Sequence, residues 1–517
     1  MTPLSTADPI TEPIKQPPST AGMTTKVVKG SIWTLAGNVA PLAVSLVATP
    51  FVIRLLGAEG YGVYILIGLI PAYLGFADFG MSMASTKFGS EAYAEGDEDK
   101  EARIVRTAAL IALLTSVPIA GLLMIFAGSI IGLFNVPAEY LSEATLALRL
   151  AAVTFVINIL CGIFNTPQLA RLRMDLNTFI NASSRILGLI ATPIVLYLGY
   201  GIVGAISVLL TASLLTLTGH LIVSHRLLPH LIGATIETRI LRTMSKFGGA
   251  LVVGAIAAAL LVNAEKGMLA AVVSARDLAF YSVAFTLAGM ITLFSGSMIQ
   301  SLIPAFSQLQ TDEKKGQLKS IYSRGIRLSL VWVIPAMVLL ALVAKPFFTI
   351  WAGPEFGENS VWPLYMLLAG LVFNILAYVP HSVILSFGRS DLLAKIYWIE
   401  LVPYIAAVWF LADRFGAVGA AAAWTGRVVF DAFIQFYFAK KIAGVESGIK
   451  RLPIFVLATA TMMAPLVFLM AFDSLSPIMA GLTLACLAVY IFAVSRSIIE
   501  KSELAWFAEK LRARFAV

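Results

Sequence analysis

Stretches of about twenty apolar residues follow one another along nearly the whole chain, separated by short polar connections. A run of that length crosses a hydrocarbon layer about 30 Å thick as one α-helix. Within that layer a helix satisfies its own backbone hydrogen bonds. The expected fold is therefore all-α and integral to the membrane. Composition agrees, with 59% of the 517 residues apolar and only 13% charged, against roughly 25% charged in a soluble protein. The mean hydropathy is +0.88. No run shows the alternating pattern of a membrane β-barrel. About fourteen spans are predicted, near 30–53, 61–84, 107–134, 145–168, 178–199, 202–224, 247–271, 278–303, 328–351, 362–386, 393–412, 417–439, 452–472 and 477–495.

Residues 1–25 read as a disordered tail, with five prolines between Pro3 and Pro18 and no apolar segment of the kind a signal peptide needs. The rest divides into a six-helix bundle over 26–225, a cytoplasmic linker over 226–246, a second six-helix bundle over 247–440 and two additional spans over 441–497. Residues 498–517 set Leu504, Phe507, Leu511 and Phe515 on one helical face. That pattern predicts an amphipathic helix on the membrane surface. Cys161 and Cys486 both lie inside apolar runs and predict no disulfide.

The net charge is +8, which in a soluble chain would point to nucleic acid. Here the distribution of cations gives a different reason. With both termini in the cytoplasm, 29 of the 37 Lys and Arg fall on cytoplasmic segments, Arg149, Arg185, Lys266 and Arg427 lie within spans, and only Arg54, Arg276, Lys345 and Arg414 fall on the outer side. That is the bias expected of a multi-pass inner-membrane protein. The outer loops are too short to house the catalytic groups of a membrane glycan polymerase. No G-x-x-x-x-G-K-[ST] motif is present. The four histidines show no metal-ligand spacing with carboxylates, so no metal and no cofactor are expected.

The chain also repeats itself. A shift of 217 residues places Pro118 on Pro335 and Pro137 on Pro354. A shift of 216 places Asn158 on Asn374, Arg173 on Arg389 and Asp175 on Asp391, and one of 215 places Gly201 on Gly416. Each repeat holds six spans, so both begin on the same side and are related in parallel. Pairs of this kind build a central cavity between two bundles.

These features carry a family resemblance. Arg54-Leu55-Leu56-Gly57-Ala58-Glu59-Gly60-Tyr61-Gly62 resembles the turn after the first span of bacterial polysaccharide biosynthesis and export proteins, the O-antigen and exopolysaccharide flippases of the MOP superfamily. Asp78-Phe79-Gly80 is similar to a D-[LF]-G that recurs there. Asn263-Ala264-Glu265-Lys266 occupies the place where many members carry Asp followed by a cation. The resemblance covers about residues 27–445. It implies transfer of an undecaprenyl-diphosphate-linked oligosaccharide from the cytoplasmic to the periplasmic leaflet by alternating access, without enzymatic chemistry. The implied partners are that lipid-linked oligosaccharide, the bilayer, and the polysaccharide polymerase and export machinery. A multidrug or cation antiporter of the same superfamily is the rival reading, and a membrane glycan polymerase the second.

Ionisable groups inside spans are costly and mark sites. Arg185 lies about 10 Å deep in the fifth span at 1.5 Å per residue, too deep for easy snorkelling, and no acid follows it on its helix. It is the first candidate to hold the cargo's diphosphate. Lys266 is the second, unless Glu265 neutralises it or it reaches the outer interface. Arg149 and Arg54 lie nearer span ends and are weaker substrate-binding candidates. Asp78, Glu265, Glu400, Arg427 and Asp431 are candidates for coupling or charge pairing. Arg427 and Asp431 are four apart and expected to pair on one face. In the 215 register Arg185 falls on Glu400.

Overall fold

The computed structural model describes residues 20–231, 238–446, 457, 459–465 and 477–497. The tail up to residue 19, most of the thirteenth span and the amphipathic segment at 498–517 lie outside the described residues. The first half holds α1 (Thr20–Tyr73), α2 (Met81–Glu95), α3 (Glu98–Ile125), α4 (Ala127–Ile131), α5 (Leu141–Phe164), α6 (Thr166–Ala170), α7 (Met174–Tyr197) and α8 (Gly201–Leu227). The second holds α9 (Thr238–Met268), α10 (Ala275–Ser307), α11 (Lys315–Trp351), α12 (Pro354–Asn359), α13 (Val361–Ser386) and α14 (Ser390–Ala443), followed by α15 (Pro477–Ser497). Among the described residues nine helical segments are long and apolar enough to cross a membrane. Two of them, in α1 and α14, hold two passes each, divided by non-helical backbone at Gly57 and Gly416. The protein is an all-α membrane protein of two parallel-related six-helix bundles, with α15 docked on the second. Tyr490 makes that docking, fully buried and donating to the Leu330 carbonyl of α11 at 3.0 Å.

Two boundaries differ from expectation. The first helix begins at Thr20, inside the segment read as a tail, because the last helix-breaking proline is Pro18. The second span is broken rather than continuous over 61–84. A 3-10 turn over Gly75–Asp78 is followed by left-handed backbone at Phe79 and Gly80, and α2 starts afresh at Met81. Thr115 of α3 donates to the Ala77 carbonyl at 2.6 Å, which satisfies one acceptor the break exposes.

The parallel halves match in detail. At the cation-rich end Arg173 pairs with Asp175 at 3.0 Å, and Arg389 pairs with Asp391 at 3.1 Å. At the opposite end Gly201 and Gly416 both take φ 55°, a left-handed turn that side chains disfavour. Each turn is capped by a carboxylate from another helix. Glu143 of α5 accepts from the amides of Ile202 and Val203, and Asp277 of α10 accepts from the Ala417 amide.

Burial corrects one register. The buried stripe Ser184, Gly188, Thr192 and Leu196 of α7 corresponds to Glu400, Tyr404, Val408 and Ala412 of α14 at a constant shift of 216. The one-residue gap therefore falls in the turn after Tyr197, and Glu400 corresponds to Ser184. Arg185, expected opposite Glu400, corresponds to Leu401.

The halves are tied together at and near the cation-poor end. Pro50 has no amide hydrogen to give the Leu46 carbonyl, and Trp351 of α11 donates its Nε1–H there instead, at 2.7 Å. Arg54 donates to the Ile350 carbonyl at 2.8 Å, in the last turn of α11 where carbonyls lack intrahelical partners. Asn135, after α4, donates its backbone N–H to Ala270 at 2.8 Å and its side-chain amide to Ala271 at 3.1 Å.

Candidate functional site

The intramembrane charges gather in the second half. Glu265 of α9 is fully buried. Its Oε2 accepts from the Tyr404 hydroxyl of α14 at 2.7 Å, while its Oε1 has no hydrogen-bond partner among the described residues. Neighbouring residues on a helix diverge by about 100°. Lys266 accordingly turns away and sets its ammonium 4.4 Å from the Phe285 ring centroid of α10. Phe285 stacks on Tyr281 at 5.8 Å and meets Trp424 edge-on at 6.0 Å. Tyr73 of α1 donates to the Asn263 carbonyl at 2.6 Å. Its hydroxyl lies so close to Gly267 that a Cβ there would overlap it. That close approach accounts for a glycine one residue after the charged pair.

Arg427 departs from the expected pairing. It meets Glu400 from the other pass of α14, Nη1 to Oε2 at 3.7 Å, and lies over the Tyr404 ring at 5.2 Å. Asp431 is engaged by Gln435 one turn on, at 2.7 and 2.8 Å. An i,i+4 rule sees only one helix, and here a carboxylate from an adjacent pass takes the guanidinium. Glu400 is 1% exposed, so its charge needs a partner. A cavity of about 270 Å³ opens beside this cluster, lined in part by Asn374, Tyr378, His381, Tyr397, Arg427 and Asp431. Among the described residues no three His, Cys, Asp or Glu converge as metal ligands.

The cluster holds three carboxylates (Glu265, Glu400 and Asp431) and two cations (Lys266 and Arg427). An isolated buried anion is strongly disfavoured, so the arrangement favours uptake of one more positive charge. Tyr73, Tyr281, Tyr404, His381 and Gln435 were not among the residues expected from sequence. Asn374 had a signal there, since it falls on Asn158 of the first repeat. The tyrosines had none, because aromatic residues in spans ordinarily read as packing or interfacial anchors.

The other candidates lie apart from this cluster. Arg185 is exposed on α7, and no hydrogen bond or ion pair engages it among the described residues. Arg149 donates to the Met124 carbonyl at 3.2 Å, capping the last turn of α3. Arg54 joins the two halves as described. Asp78 caps the broken second span rather than pairing with a cation, accepting from the Gly80 amide at 2.7 Å and the Ser82 amide at 3.3 Å.

The fold of two parallel-related bundles recurs in solved structures of membrane transporters. A solved structure of the lipid II flippase MurJ, in an inward closed conformation, superposes with a TM-score of 0.69, at 15% identity, over 90% of this chain and 98% of that one. An inward-facing multidrug resistance MATE family transporter of the MOP superfamily gives 0.63, at 12% identity, over 78% and 94%. Beyond the shared fold, the sequence is more specific. The family model for polysaccharide biosynthesis proteins matches residues 51–360, and the chain belongs to that family. A Shigella flexneri protein described as an O-antigen transporter is 25% identical over 427 residues, covering 81% of this chain and 99% of its own length.

Proposed function

We propose that the protein is a flippase. It moves an undecaprenyl-diphosphate-linked oligosaccharide from the cytoplasmic to the periplasmic leaflet of the inner membrane, by alternating access, for assembly of O-antigen, capsule or exopolysaccharide. The observation that carries this reading is the separation of charge between the halves. An unpaired arginine stands exposed in the first half, where a diphosphate can meet it. In the second half an excess of one carboxylate stands ready for a proton or another cation. A gradient of that cation then drives the exchange, with Glu265, Glu400, Arg427 and Asp431 as coupling residues. Lys266, held over Phe285, is the second candidate for the cargo's anion. The family and the Shigella relative support a polyprenyl-linked cargo over a drug cation, while the fold is common to MurJ and to a multidrug transporter.

In this reading the cation-poor end faces the periplasm and both termini lie in the cytoplasm, so the hydrogen bonds between the halves close the outer exit. The protein hands its cargo to a polymerase and export machinery and performs no bond chemistry itself. The direct test reconstitutes the purified protein in liposomes with a fluorescent prenyl-diphosphate glycan and measures accessibility to an impermeant quencher. Flipping by wild type that Arg185→Ala abolishes is the expected result. Equal leaflet exchange with and without protein refutes the assignment.

A further inference from the structure

The cargo's tail also needs a place, and the first half offers one. A groove of about 430 Å³ runs between α7 and α8, from Leu187 to Tyr200 on one wall and from Val203 to Leu215 on the other. At 1.5 Å per residue its α7 wall is about 20 Å long. Exposed Leu187, Leu215 and Tyr200 form its rims. Of its three hydroxyls, Tyr200 stands at the rim, and those of Ser207 and Thr211 are spent within their own helix. Ser207 donates to the Val203 carbonyl at 2.8 Å, and Thr211 donates to the Ser207 carbonyl at 2.9 Å. Along its walls the groove therefore offers methyl and methylene surface, with the Tyr200 hydroxyl at its far rim, which suits hydrocarbon along its length.

The internal repeat shows what is unusual about it. The groove positions Gly188, Val195, Ala212 and Leu215 correspond to Tyr404, Leu411, Arg427 and Phe430. In the second half Tyr404 is buried between the two passes of α14 and lies under Arg427, while Phe430 is half exposed. In the first half Gly188 meets Ala212 closely, so the floor of the groove there is small and apolar. Arg185 stands three residues before Gly188, and residues at that spacing are neighbours on a helix surface. Helical side chains lean toward the N-terminus, and Arg185 precedes Leu187, the first residue of the groove wall, so its charge belongs to the N-terminal end of the groove.

From this juxtaposition of an apolar groove with an unpaired arginine at its end, we infer that the α7–α8 groove seats the isoprenoid chain of the lipid-linked cargo, with the diphosphate at Arg185. The inference rests on the flippase reading and adds to it the place of the tail.

The test uses the full chain in nanodiscs of phosphatidylethanolamine and phosphatidylglycerol, with undecaprenyl diphosphate carrying a diazirine in its chain. Crosslinks on residues 187–215, displaced by unlabelled undecaprenyl diphosphate and not by added phosphatidylglycerol, are expected. Crosslinks confined to other helices, or displaced equally by phosphatidylglycerol, overturn the proposal. Ser207→Phe and Thr211→Phe should each weaken undecaprenyl diphosphate binding about tenfold by displacing a few methylenes. Leu214→Phe, outside the groove, should leave it unchanged. Farnesyl diphosphate, too short to follow the groove, should lose binding with Arg185→Ala more than with Thr211→Phe. If wild type flips the glycan-bearing lipid while both groove variants bind normally, the groove is wrong and the flippase stands. If wild type binds no undecaprenyl diphosphate, both fall.

Discussion

The two halves share a backbone plan and hold opposite contents. Where α14 carries Glu400, Arg427 and Asp431, the corresponding positions in α7 and α8 are Ser184, Ala212 and Thr216. The second half closes its charges in on one another: Arg427 is shared between Glu400 and the Tyr404 ring, and Asp431 is held by Gln435. The corresponding helices of the first half, α7 and α8, hold no such cluster among the described residues and leave Arg185 open. A repeat can thus preserve turns, caps and buried stripes while its intramembrane chemistry diverges. Backbone satisfaction must be met in both copies, whereas a buried charge is costly and marks a candidate site rather than a shared need.

The sharpest way to break this comparison is to remove the open charge. Arg185→Ala should abolish or sharply reduce polymer export in cells while protein levels stay normal. Arg185→Lys should retain part, since a point charge still attracts phosphate although the bidentate fork is lost. Normal export by Arg185→Ala would erase the asymmetry as a functional statement. The next largest effect lies in the closed cluster. Glu400→Leu leaves Arg427 without its carboxylate and should cost about 3–5 kcal/mol, while joint replacement of both by apolar residues should cost far less. Thermal unfolding of the purified variants reads this, and Ser184→Ala at the matched position should change little.

A smaller effect is expected at the break in the second span, whose counterpart in the second half stays helical through α10. Asp78→Ala should cost about 1 kcal/mol as the loss of an N-terminal cap, and Asp78→Asn should recover most of it. Denaturation midpoints measure both, and an equal loss from Asn and Ala would mean that the charge matters rather than the acceptor. The smallest effects sharpen the likeness instead of the difference. Arg173→Ala and Arg389→Ala each remove a solvent-exposed pair and should each cost at most about 1 kcal/mol. Their costs should agree with each other, and a clear inequality would show that the matched turns are not equivalent in environment.

Much of the fold was legible in the sequence because each span must be apolar over its whole length and each turn must punctuate that pattern. Pro118 with Pro335, and Arg173 with Arg389, gave the repeat directly. The break at Asp78–Gly80 was hidden because Phe79 and its neighbours keep the stretch apolar, and a hydropathy average has no term for left-handed backbone. The one-residue gap was misplaced for a similar reason. Apolar helices tolerate a shift of one in composition, and only the buried stripe through Ser184 and Gly188 fixes which residues face inward. In the site, the charged residues themselves stood out, since ionisable groups are rare in spans. Their partners did not. The meeting of Arg427 with Glu400, and of Glu265 with Tyr404, depends on how passes pack against each other, which no spacing along one helix encodes.

Pro50 has a consequence for the transport cycle. The Leu46 carbonyl has lost its helical donor for good, and Trp351 supplies the replacement from the other bundle. If the bundles part at that end, the oxygen faces an opening with nothing to bind, and an unsatisfied carbonyl in a dry interior costs about 1–3 kcal/mol. Water is the only replacement at hand. Separation and wetting are then one event, and the outward-open state should be favoured by high water activity and suppressed by osmolytes too large to enter. On the proposed alternating-access cycle, a proline in the first helix thereby couples hydration to the parting of the bundles.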